Sequence, residues 1–293
     1  MPIIGTTKPF TSFEDQIALL ESRGLLIPDK EFALRVLKTV NYYRLSAYSL
    51  TMRSDDKFYH GTTFDQIWEL YQFDAAFRNV VLKYCPYIEH AFRTHIAHHH
   101  SGQYGPLGYL NNQNFENETF HARFLNKLFK EIDFSDDIFI KHHKNDLGGI
   151  YPFWVAIEVT SFDVLSKLYK NLLPKDKNYI SKTYYDVSRK YVENWLQVVV
   201  VARNISAHGG RFYNRNMRIP IRLDAAMQEK FNDRSPFATV YAIYMLLPYN
   251  SIRHDFISDL SHIFKLYSFA KLRWMGFPDN WIKLLQDQSC IES

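Results

Sequence analysis

Cysteine is almost missing: only Cys85 and Cys290 occur in 293 residues. That excludes a disulfide framework and a CxxC zinc site, and it fits a reducing compartment. Long apolar runs are missing too. The longest, Val198–Ala202 and Tyr241–Pro248, fall far short of a membrane span. The first residues, MPIIGTTKPFTSFEDQ, carry no basic stretch followed by an apolar one, so no signal peptide is evident. A soluble, cytoplasmic protein is expected, with no membrane contact. Charge of one sign is also scarce. Lys and Arg total 35 against 31 Asp and Glu, a net charge of +4, which does not by itself announce a nucleic-acid binder. Gly/Ser linkers, low-complexity tracts and internal repeats are absent.

Hydrophobic residues make up 46% and aromatics 16% of the chain, enough to bury a real core. Helical spacing dominates. Thr11 with Glu14 reads as a capping box before Phe13, Ile17 and Leu20, ending at Gly24. Thr63 with Gln66 repeats the box ahead of a long helical stretch, Phe64 to about Ser101, which Pro86 should kink or split. Ser235-Pro236 reads as an N-cap and first helical position. Further helices are expected near 31–46, 117–132, 153–171, 187–208, 250–268 and 278–287, with loops at 111–118 and 141–149. Asn216–Leu223 alternates in polarity and is the main candidate for an extended segment. The expected fold is all-α, with little or no sheet. An N-terminal helical segment, 1–60, leads into a single continuous core over 61–293.

The informative stretch is 203-RNISAH-208 followed by Gly209-Gly210. Asn204 and His208 are four apart and share a helix face, with Arg203 about 100° around. The two glycines suit the left-handed geometry of a helix C-terminus, so His208 should project where the chain opens to solvent. Arg211, Arg215, Arg218 and Arg222 follow, with Phe212 and Tyr213 interleaved and no carboxylate from Arg203 to Arg222. Arginine forks match phosphate oxygens, and aromatic faces stack on unpaired bases. Arg211, Tyr213, Arg215, Arg218 and Arg222 are therefore candidate RNA contacts. The chemistry indicated is metal-free and cofactor-free RNA cleavage. A histidine takes the proton of the ribose 2′-OH, or gives one to the leaving 5′-oxygen, and a guanidinium stabilises the phosphorane.

A second Arg-x4-His lies in 89-EHAFRTHIAHHH-100, where Arg93 and His98 repeat the spacing and Glu89 stands four before Arg93. The histidines of this block, among them His95 and His99, invite a zinc reading. Successive positions rotate by about 100°, however, and no HExxH accompanies them, so no metal site is assigned.

Four blocks in order, 41-NYYRLSAYSL-50, 88-IEHAFRTHIAHHH-100, 152-PFWVAIEVTSFDVLSKLY-169 and 202-ARNISAHGGRFYNR-215, resemble the abortive-infection family called AbiD/AbiF. The Arg-x4-His with a polar residue after the Arg is similar to the signature of HEPN-superfamily ribonucleases. The resemblance implies a HEPN-like helical bundle with added N- and C-terminal helices and a bacterial role in phage defence through RNA cleavage. It also implies a small noncoding RNA as inhibitor, as in a toxin–antitoxin pair, and a homodimer or paired motifs in one chain. Carried over, the site residues are Arg203, Asn204 and His208, with Arg93 and His98 as a second set. Two arrangements stay open: an intramolecular pairing, or one built across a dimer with Arg93 held by Glu89 as a buttress. Glu158 could orient Arg203 or Arg93, or simply solvate a helix face. The competing class is a non-catalytic helical module that binds RNA or a partner.

Overall fold

A computed structural model describes residues 9–287. Residues 1–8 and 288–293, Cys290 among them, lie outside the described residues. Short helices open the chain: α1 (Phe13–Ser22), α2 (Lys30–Thr39) and α3 (Tyr42–Ser46), followed by a hairpin of β1 (Arg53–Ser54) and β2 (Lys57–Phe58). The longest helix, α4, runs Phe64–Tyr104. Then come α5 (Glu118–Phe134), α6 (Ile138–Asp146), α7 (Phe153–Ala156), α8 (Phe162–Asn171) and α9 (Pro174–Tyr185). The C-terminal part holds α10 (Arg189–Ala207), α11 (Ala225–Gln228), α12 (Pro236–Leu246), α13 (Asn250–Leu266) and α14 (Trp281–Gln286). The fold is all-α, and its only sheet among the described residues is the two-stranded hairpin.

Local chemistry accounts for the starts. Thr63 accepts from the Gln66 amide while the Gln66 side chain accepts from the Thr63 amide, closing the expected capping box of α4. Ser235 caps α12 and Pro236 fills its first turn. The box of α1 sits one residue later than the spacing suggested: Ser12 and Asp15 form it, because the Asp15 carboxylate reaches back to the Ser12 amide.

Pro86 neither splits nor ends α4, which is continuous for 41 residues, about 60 Å. It stands on an exposed face, so the carbonyl it deprives of an amide partner can be hydrated. Two helices arise where polar composition indicated none. Residues 138–146 form α6, whose one deeply buried side chain is Ile140. Residues 174–185 form α9, whose inward face mixes Asp176, Lys177 and Ser181 with Ile180 and Tyr185 instead of presenting a purely apolar stripe. Residues 216–223 are not a strand. Pro220 lacks an N–H, and the segment is tied down mostly by side chains: Asn194 bridges the Pro220 carbonyl and the Arg222 amide, and Trp195 Nε1 donates to the Arg222 carbonyl.

The core runs along α4 through Phe73, Phe77, Val81, Ile88, Phe92 and Ile96, all fully buried. Every residue of α12 is buried, as expected of a helix apolar on all sides. Helix α10 packs against α4, α8, α9 and α12, so only its C-terminal end and one stripe reach the surface. Leu25, Leu37, Leu45 and Tyr48 from the first sixty residues belong to the same hydrophobic cluster as Phe64 and Ile67.

Candidate functional site

Helix α10 stops in the way its glycines dictate. The Gly209 amide donates to the Ser206 carbonyl and the Gly210 amide to the Ile205 carbonyl, with Gly209 at φ +64°. These two bonds make a Schellman closure, and His208 is the cap residue. His208 is exposed, and its ring makes no hydrogen bond to a described residue. Arg203 is exposed as well, and donates to the side chain of half-buried Asn204 at 3.1 Å.

The loop beyond the cap is anchored from far away in sequence. Asp74, wholly buried on α4, accepts the amides of Phe212 at 2.9 Å and Tyr213 at 2.7 Å. It also accepts from Tyr48 at 2.8 Å and from the Arg78 guanidinium. Burial pushes the Asp74 carboxyl above the usual carboxylate range; the Tyr213 amide and Arg78 pull the other way. Arg44 on α3 donates to the Gly209 carbonyl at 2.7 Å. The backbone immediately after His208 is thus held by α3 and α4 together. The i,i+4 pair Asp74–Arg78, lying among the apolar residues Phe73, Phe77 and Val81, is the sequence signal that marks this anchor; it stands outside both Arg-x4-His motifs.

Two of the expected RNA contacts are occupied with the loop itself. Arg211 donates to the carbonyls of Tyr213 and Asn214, and burial pushes its pKa down. Arg215 donates to the Arg211 carbonyl. Tyr213 corrects the reading outright: it is 2% exposed, packed edge-on against Phe73, so its ring cannot stack on a base. Arg218 and Arg222 are exposed.

The second Arg-x4-His differs from the first. Helix α4 continues to Tyr104, so exposed His98 stands six positions inside it rather than at an end. Arg93 is clamped: its Nη2 donates to Glu89 and to the Thr160 carbonyl, each at 2.6 Å, and Glu158 lies 4.0 Å from its Nη1. Glu158 therefore faces Arg93, and no ion pair joins it to Arg203 among the described residues. The Arg93 clamp ties α4 to the turn before α8. Cys85, one turn before Glu89, is buried, and burial pushes its thiol up to about 12 against the pull of the Arg203 charge. The histidines of the block diverge. His95 stacks on Tyr184, His99 Nε2 bonds Asp176 at 2.8 Å, and His100 is buried against Phe115 and Phe153.

A cavity of about 530 Å³ opens beside the motif, between α5, α8 and α10. Asn204 lines one end, and its floor includes Phe124, Val164, Leu168 and Val200. None of the motifs pointed to it, because its residues come from three separated helices. No helix among the described residues is long and apolar enough to cross a membrane.

Comparison with known proteins gives one match. A family model described as "Abi-like protein" matches residues 35–214, which hold all the Arg-x4-His residues together with Asp74, Glu89 and Glu158. No curated protein and no solved structure matches the chain.

Proposed function

The chain belongs to the Abi-like protein family, an abortive-infection family of phage defence, and from that premise we propose that it acts as a metal-independent endoribonuclease of the HEPN kind. One observation carries this reading: His208 stands exposed at a rigidly closed helix end, with Arg203 and Asn204 one turn behind it. The reaction needs a group that accepts the 2′-OH proton as that oxygen attacks phosphorus. It also needs a cation for the phosphorane and a proton for the departing 5′-oxygen. An imidazole serves the proton transfers and a guanidinium serves the charge, with acid–base help worth roughly 10²–10⁴-fold. The new bond joins O2′ to phosphorus, the P–O5′ bond breaks, and the ends are a 2′,3′-cyclic phosphate and a 5′-OH.

In this reading Arg93 is a positioning residue, since its guanidinium is already bound by Glu89 and the Thr160 carbonyl. A single chain then offers one complete Arg-Asn-His set, and a second copy of the chain completes the composite site in a homodimer. The toxin acts on cytoplasmic RNA and is held in check by a small noncoding RNA. The test is incubation of purified protein with cellular RNA and EDTA. Fragments ending in cyclic phosphate, lost in Arg203→Ala, support the enzyme. RNA that is only retarded on a gel supports the non-catalytic module.

A further inference from the structure

We propose that the groove between α5, α8 and α10 seats the single-stranded part of the RNA substrate and feeds it toward Asn204 and His208; this rests on the nuclease reading above. The geometry runs along one stripe of α10. Glu193, Gln197, Val201 and Asn204 line the groove at helical spacing, and His208 continues that stripe one turn on. A second cavity of about 440 Å³ shares Lys170, Glu193 and Gln197 with the first and extends the path to Arg189, Lys190 and Arg222. From Lys190 to Asn204 the path covers about 21 Å of helix axis.

Its chemistry fits a nucleic-acid strand. Arg123, Lys127 and Lys170 rim the larger cavity, and none is ion-paired among the described residues. Of the two carboxylates in that lining, Asp163 pairs with Lys167 at 2.7 Å, and Glu193 lies 3.6 Å from Lys177, which pairs more closely with Glu116 at 2.7 Å. The positive rim is left for an anion. Half-exposed Phe120 stands at the mouth with the Arg123 guanidinium 5.8 Å from its ring centre, a flat face on which a base can stack. Behind it the floor is apolar, as unpaired bases require and as double-stranded nucleic acid does not. Phosphates on the rim and bases on the floor match a single strand.

The test uses the full chain and a fluorescent RNA oligonucleotide made uncleavable by 2′-O-methylation. Its affinity is measured by anisotropy across a salt series for the wild type, Arg123→Glu/Lys127→Glu, Lys170→Glu, and Lys265→Glu on α13 as a control. All four positions are exposed, and thermal melting confirms folding. The double variant should bind at least tenfold more weakly, with the slope of log affinity against log salt reduced by about 1.4, roughly 0.7 for each lost phosphate contact. Lys170→Glu should weaken binding as well, and Lys265→Glu should not. Wild-type affinity and slope in the double variant overturn the proposal. So does a variant that changes the oligomeric state in sedimentation while binding RNA normally, which assigns the groove to a second copy instead. Cleavage is scored separately. A wild-type protein that binds through the groove but leaves no cyclic-phosphate ends defeats the nuclease reading alone. A wild-type protein that cuts, alongside groove variants that bind and cut equally well, defeats the groove alone.

Discussion

Replacing Asp74 by Asn perturbs the loop that follows His208 without touching any group placed at the reacting phosphate. The side chain keeps its shape and Oδ1 can still accept the amides of Phe212 and Tyr213. The other oxygen becomes an NH₂ facing two donors, the Tyr48 hydroxyl and the Arg78 guanidinium. Arg78 is 7% exposed, so its charge is left buried without a counter-ion. Breaking a buried pair from one side costs about 3–5 kcal/mol. For a chain of this size that lowers the melting temperature by about 10 °C. Thermal melting and RNA cleavage, measured well below both transitions, are compared with Leu260→Ala, a fully buried core change on α13 of similar expected cost. Asp74→Asn should cut more slowly than Leu260→Ala, because only the first replaces the anionic acceptor of the Phe212 and Tyr213 amides with a weaker neutral one and turns an NH₂ toward Tyr48 and Arg78. A melting shift under 2 °C, or equal cleavage in the two variants, refutes the reasoning.

Arg93→Ala removes the cation between Glu89 and the Thr160 carbonyl and should cost about 3 kcal/mol in chemical denaturation; a variant as stable as the wild type that has lost cleavage would make Arg93 a catalytic residue instead. His100 is 1% exposed, neither ring nitrogen has a hydrogen-bond partner, and burial holds its pKa at about 4. The folded state therefore binds this proton less readily than the unfolded chain. The corresponding stability is intact above about pH 6.5 and falls by about 3 kcal/mol toward pH 4. His100→Phe, packed against Phe115 and Phe153, should flatten that acid limb of the melting curve, and an unchanged limb contradicts it. Cys85 is buried with its thiol pushed up to about 12. In a Cys290→Ser background it should resist iodoacetamide at neutral pH until the chain unfolds, and rapid labelling of the native protein would refute this.

Much of the frame was legible because its signals are local. A hydroxyl three residues before a glutamine marks the start of α4, Ser-Pro marks α12, and two glycines after an apolar helix mark the closure at His208. Helix α9 is not legible as an apolar repeat because Ile180 and Tyr185 share its inward face with charged residues: Asp176 meets His99 and Tyr104, and Lys177 meets Glu116, partners no periodicity reveals. The arginine run after His208 looked like one basic surface. Local spacing could not tell that Arg211 and Arg215 turn back onto loop carbonyls, or that Tyr213 enters the core. The Asp74 anchor joins residues more than 130 apart, and the groove draws its lining from three helices. Both are products of packing rather than of any contiguous pattern.

The most direct measurement is the chemistry of the ends. Purified wild-type protein and a folded His208→Ala variant are each incubated with RNA in EDTA, and the termini of any fragments are identified by mass. Wild-type fragments carrying 2′,3′-cyclic phosphate and 5′-OH, with none from the variant, are the predicted result. Intact RNA from the wild type, or the same fragments from both proteins, would contradict it.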